Sequence, residues 1–129
     1  MILVGCSGPK LSAPAEARDL YTSALFRKCR AYAERSGSSW LILSALYGVV
    51  EPDRVIAPYE YRLPRGASAW GERVGLALRG VRGPLIALCG RDYVDPWRKL
   101  VRAQVSEPMA GLGLGRRLQW LDEQNGGGR

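Results

Sequence analysis

Lys10 closes the segment Gly5-Cys6-Ser7-Gly8-Pro9-Lys10, which follows the apolar opening Met1-Ile2-Leu3-Val4. Its amine can hold a phosphate or a developing anion, and a desolvated lysine can also attack as a nucleophile; the alternative is an exposed loop lysine. Cys6 as a thiolate would need a neighbouring cation, and with no histidine to activate it a small residue at a strand end is the preferred reading. Ser7 can donate to a substrate or satisfy its own turn. A second segment, Leu43-Ser44-Ala45-Leu46-Tyr47-Gly48, is followed by Pro52-Asp53 and Ala57-Pro58-Tyr59. Here Ser44 is a hydrogen-bond donor, Tyr47 can stack on a base or pack in the core, and Gly48 lets the backbone approach a ligand. Asp53 can orient a water or simply make a Pro-Asp turn. Asp19 reads as a helix cap ahead of a catalytic acid. Arg18 beside it, Tyr21, Tyr59 and Arg91 complete the candidate substrate contacts.

The chain contains no histidine, which excludes Ser-His-Asp and Cys-His catalysis and the histidine-dependent metal sites. Proton transfer is left to Asp, Glu, Lys, Tyr, Cys or water. Three cysteines, Cys6, Cys29 and Cys89, are too few for a zinc framework, and neither a metal nor a cofactor is expected. The Gly-rich turn before Lys10 lacks the Walker spacing, and Gly111-x-Gly113-x-Gly115 lacks a preceding strand, so it reads as a flexible join.

Two abrupt breaks, each after a buried strand, require a scaffold that brings strand ends together. Met1–Cys6, Trp40–Leu46 and Pro84–Cys89 are continuously apolar, as in parallel strands buried on both faces. Helices are expected over Leu20–Ser36, with Asp19 as cap, over Ser68–Arg79, from Asp95 through Val101, and over Arg116–Glu123. Ser7–Asp19 and Tyr47–Ala67 read as loops, the second long enough to be functional. The alternation implies a three-layer α/β/α sandwich on a small, mostly parallel sheet. Right-handed crossovers then place Cys6-Ser7-Lys10, Ser44-Tyr47-Gly48 and Gly90-Arg91-Asp92 on one edge. Residues 1–124 form one domain, with 125–129 a flexible tail.

With 129 residues, 47% hydrophobic, the chain can bury one core. Nineteen Lys and Arg against 12 Asp and Glu give a formal charge of +7, which favours nucleic acid or nucleotides as partners. An odd cysteine count without a secretory leader fits a cytoplasmic protein. No apolar run approaches the ~20 residues of a membrane span, so no membrane association is expected. Oligomeric state is not specified.

Leu43 to Val50 with Pro52, Ile56, Pro58 and Tyr59 resembles a segment of the bacterial peroxide-stress DNA-binding family. Cys6-Ser7-x-x-Lys10 is similar to a motif in a domain of the archaeosine synthase family, which modifies a deazaguanine base in transfer RNA. With Ala17 to Ser23, the chain most resembles small uncharacterised bacterial and phage domains carrying both motifs, over roughly residues 1 to 63. The resemblance implies a uracil-DNA-glycosylase-like or Rossmann-like fold and a nucleobase- or nucleic-acid-directed enzyme, an N-glycosidase being one form. Lys10 would then contact phosphate or stabilise the leaving base, and Asp19 or Asp53 would orient water. The alternatives are a non-enzymatic DNA- or RNA-binding module, or a subunit whose partner completes the catalytic site. An exposed apolar patch around Trp97 or Trp120 would favour the last.

Overall fold

Ile2, Leu3 and Val4 build the centre of the molecule because their side chains alternate between two apolar layers. In the computed structural model, which describes residues 1–6 and 8–126, strand β1 (Ile2–Cys6) pairs in parallel with β3 (Trp40–Ser44) on one side and β6 (Leu85–Leu88) on the other. The five-stranded sheet runs β4-β3-β1-β6-β7, with β4 (Gly48–Val50) the one antiparallel member and β7 (Val105–Ser106) parallel at the far edge. Register places Val4 beside Ile42 and Leu88, and Leu3 beside Leu41 and Ala87. A separate two-residue ladder joins β2 (Ala15–Glu16) to β5 (Val55–Ile56).

Helix α2 (Ala24–Arg35) and helix α5 (Leu114–Gln124) cover one face, around Ile2, Val4, Phe26, Cys29 and Leu121. Helix α3 (Ser68–Leu78) and the single turn α4 (Asp95–Arg98) cover the other, around Leu3, Val74, Leu78 and Trp97. The result is the expected α/β/α sandwich on a mostly parallel sheet. Among the described residues no helix is long and apolar enough to cross a membrane.

The helix expected from Leu20 begins instead at Ala24. Ser23 accepts a hydrogen bond from the Phe26 N–H at 3.1 Å and is the cap. Asp19 lies in a separate turn, α1 (Ala17–Leu20), and pairs with Arg30 at 2.7 Å. Capping of α2 therefore belongs to Ser23, and Ser23→Ala is expected to cost about 1 kcal/mol in urea unfolding, with Asp19→Ala costing less. The expected loop 47–67 contains β4 and β5, the strand expected through Leu46 ends at Ser44, and the turn at Asp95 is preceded by a 3-10 turn, Arg91–Tyr93. Gly115, read as part of a flexible join, lies inside α5. Asn125 closes α5 and donates to Lys28 O at 3.2 Å; Gly127–Arg129 of the expected tail lie outside the described residues. Trp97 is fully buried, and Trp120 is half-buried and packs against Tyr32.

Candidate functional site

The loop after β1 folds back along Tyr21. Leu11 N–H donates to Leu20 O at 2.8 Å, Thr22 N–H donates to Pro9 O at 3.1 Å, and Lys10 forms a β-bridge with Tyr21. These bonds fix the base of the Lys10 side chain at the carboxyl edge of the sheet. Its Nζ donates to Gly8 O at 3.0 Å and stands 4.3 Å from the Tyr59 ring centroid and 5.6 Å from that of Tyr21. An ammonium over aromatic faces is held by the ring quadrupoles and keeps donors for a ligand.

Strand β3 delivers Ser44, whose side chain is fully buried. Its Oγ accepts from the Tyr47 N–H at 3.0 Å and donates to the Tyr59 hydroxyl at 2.8 Å. The Tyr59 and Tyr21 hydroxyls share a further hydrogen bond of 2.8 Å. Three hydroxyls therefore form a chain from the end of β3 to the loop beside Lys10. The loop holding Tyr59 is steered there by the β2–β5 ladder.

Above this chain opens a cavity of about 1070 Å³ lined by residues 8–12, 58–63, Asp92 and Tyr93. Its volume admits a nucleotide-sized ligand. Lys10 and Arg62 give it cations, and Glu60 and Asp92 give it carboxylates. Asp92 and Tyr93 also wall a second cavity of about 330 Å³, shared with Gly5, Cys89, Arg91 and Arg117. That cavity lies between the ends of β1 and β6, whose neighbouring connections run to opposite faces of the sheet. Gly5 keeps the two strands close, since a Cβ there would overlap the Cβ of Cys89. Burial raises the Cys29 thiol to about 12 and pushes Cys89 upward as well, so both stay protonated at neutral pH and neither is a ready nucleophile. Among the described residues no group of His, Cys, Asp and Glu could hold a metal ion.

Of the residues singled out in the sequence, Lys10, Tyr21, Ser44 and Tyr59 come together. Tyr47 stands behind them, edge-on to Tyr59 at 5.5 Å, with its hydroxyl donating to Ala57 O and Arg54 near its ring; the ring at the cavity wall is that of Tyr59. Gly48 has φ +75 and pairs with Ser44, and Arg73 lies over it, so its backbone freedom serves the β3–β4 turn. Arg18 is bonded to Glu16 at 2.5 Å and Asp19 to Arg30, while Asp53 is exposed in the β4–β5 turn. None of these three lines the Lys10 cavity, because β2, α1 and the turn carry them away from it. Arg91 lines the second cavity. Of Cys6 only the backbone, paired with Ser44, is described, and Ser7 lies outside the described residues. Glu60, Arg62 and Tyr93 were not singled out; Glu60 and Arg62 flank the aromatic Tyr61 in the expected functional loop, which is the one signal pointing to them.

The model of a family of unknown function, DUF6884, matches residues 1–123. The chain belongs to DUF6884. The match takes in strands β1 to β7 of the DUF6884 chain, the residues lining the two cavities described above, and all but the last residue of α5. Comparison with curated proteins found no match.

Proposed function

We propose that this DUF6884 protein is a nucleobase-directed hydrolase that takes a nucleotide unit into the Lys10–Tyr59 cavity and cleaves its N-glycosidic bond. The observation that carries the reading is the Lys10 ammonium 4.3 Å from the Tyr59 ring centroid in a cavity of about 1070 Å³. Exposed cation–π contacts are worth only about 0.5–1 kcal/mol. A ligand phosphate can therefore draw Lys10 off the ring, and the freed ring face can stack on the base. One site then recognises both ends of a nucleotide.

In the reaction, the bond between C1′ and the base nitrogen breaks with its electron pair on the base. A water oxygen bonds to C1′ and gives a proton to Asp92, and the Lys10 ammonium protonates the departing nitrogen. Proton return from Asp92 to Lys10 through solvent closes the cycle. Asp92 takes the water-orienting role expected of Asp19 or Asp53, since it is the aspartate at the cavity wall. Single-stranded or monomeric substrate suits the site best, because extracting a paired base costs a few kcal/mol.

The test is base release. Nucleotides, single- and double-stranded DNA and transfer RNA, including modified forms, are incubated with the protein, and free bases are followed by mass spectrometry. Release reduced at least tenfold in both Lys10→Ala and Asp92→Asn is the expected result. The same release from the variants removes the site assignment, and no release from any substrate removes the hydrolase. The charge of +7 favours a non-enzymatic nucleic-acid-binding module as the second reading. It predicts salt-sensitive binding without release, weakened uniformly across sequences by Lys10→Ala.

A further inference from the structure

Three arginines gather at the opposite edge of the sheet. Arg79 follows the last residue of α3, Arg82 lies in the loop entering β6, and Arg102 lies between α4 and β7. With Gly80 and Val81 they line a cavity of about 300 Å³. All three are exposed, and none forms an ion pair among the described residues.

Four other cations among the described residues are paired. Arg18, Lys28, Arg30 and Arg98 each meet a carboxylate, on Glu16, Asp122, Asp19 and Glu34, and Glu107 respectively. Among the described residues none of the three arginines has such a partner. Between Glu72 and Glu107 the acidic residues are Asp92 and Asp95, and Asp92 lines the cavities at the carboxyl edge. One arginine at the end of α3 suits the helix dipole, but that argument does not extend to Arg82 or Arg102. Three arginines lining one small cleft make it a site of positive potential, which favours a multiply charged anion.

We propose that this cleft is a phosphate-binding site, separate from the Lys10 cavity and independent of the activity proposed for it. Each guanidinium presents a planar fork of donors that matches two phosphate oxygens, and three forks from different segments can enclose one phosphate or bridge two. The phosphate can belong to a free polyphosphate or to a nucleic-acid backbone.

The experiment titrates the full chain with inorganic pyrophosphate and, separately, with a ten-nucleotide single strand, reading the amide resonances of Gly80 and Val81. Binding is then compared in the triple variant Arg79→Gln/Arg82→Gln/Arg102→Gln and in a control, Arg27→Gln/Arg35→Gln/Arg116→Gln, which removes the same charge from exposed positions elsewhere. Melting curves show that each variant is folded. Pyrophosphate that shifts the two amides and binds at least tenfold more weakly to the first variant identifies a free-polyphosphate site. A response to the oligonucleotide alone, with the salt slope of binding reduced by about 2 in the first variant, identifies a backbone contact. No amide shift with either probe, or equal weakening in the control, overturns the proposal. Since the Lys10 cavity is intact in every variant, these outcomes do not depend on base release.

Discussion

Gly71→Ala is expected to destabilise the protein by about 3 kcal/mol, the upper end of the usual cost of overpacking, and to lower its melting temperature by about 10 °C. Helix α3 crosses α4 at Gly71, where a Cβ would overlap the carbonyl oxygen of Pro96 and lie 2.6 Å from the Pro96 Cβ. These are backbone and ring atoms, so no rotamer change relieves the clash. Alanine would favour the isolated helix by about 1 kcal/mol, so the steric cost must exceed that gain for the sign to hold. Gly75→Ala provides the comparison one turn on, where a Cβ would meet the Leu100 Cβ at 2.8 Å. Leu100 is half exposed and lies past the end of α4, but its Cβ moves only with a backbone whose N–H donates to Trp97 O at 2.9 Å, so a loss of about 2 kcal/mol is expected there. Both substitutions carry the same helix-propensity gain, and their difference reports the Pro96 contact. Melting of Gly71→Ala within 2 °C of the parent would show that α3 and α4 are not held at this spacing.

The same contact reaches the candidate site. Trp70, next to Gly71, donates from its indole to Ser44 O at 2.9 Å and stands edge-on to Tyr93 at 5.5 Å. Tyr93 in turn accepts from the Trp97 indole at 2.5 Å through its carbonyl. Displacing α3 from α4 therefore moves the wall carrying Asp92 and Tyr93, as well as the end of β3.

The major elements were legible in the sequence because burial on two faces leaves a continuous apolar run. Ile2-Leu3-Val4, Leu41-Ile42-Leu43 and Leu85-Ile86-Ala87-Leu88 all carry that mark. Short elements carry none. Val105–Ser106 is a two-residue strand at a sheet edge, and the β2–β5 ladder is two residues on each side, too brief for any periodicity. That ladder lies three residues before Tyr59, and of the two loop tyrosines expected at the site it is Tyr59 that stands beside Lys10, with Tyr47 edge-on behind it. Asp19 and Asp53 looked suitable as acids by proximity along the chain to Lys10 and Tyr47. The aspartate that lines the Lys10 cavity is Asp92, from the turn after β6, because the parallel sheet places β6 directly beside β1. Convergence of the three strand ends on one edge was readable; the side chain that each loop turns inward depended on contacts between distant segments.

Ser44→Ala is expected to cost about 2 kcal/mol in urea unfolding and to loosen the ring that holds Lys10. The substitution leaves the Tyr47 N–H without its acceptor and removes the donor to the Tyr59 hydroxyl, both in a part-buried setting where an unmet polar group costs about 1–3 kcal/mol. Tyr59→Phe attacks the same bond from the other end: it strands the buried Ser44 hydroxyl and removes a partner of Tyr21, for a loss of about 1.5 kcal/mol. If the hydroxyls act as one chain, the double variant loses about 1 kcal/mol less than the sum of the single losses. Additive losses would mean that the Ser44–Tyr59 bond contributes no coupling and that packing alone places the ring. Tyr59→Phe also separates the two uses of this side chain, since phenylalanine keeps the π face over which Lys10 sits. Ligand affinity that survives in Tyr59→Phe but falls in Tyr59→Leu would assign recognition to the ring face and leave the hydroxyl chain with the task of aiming it.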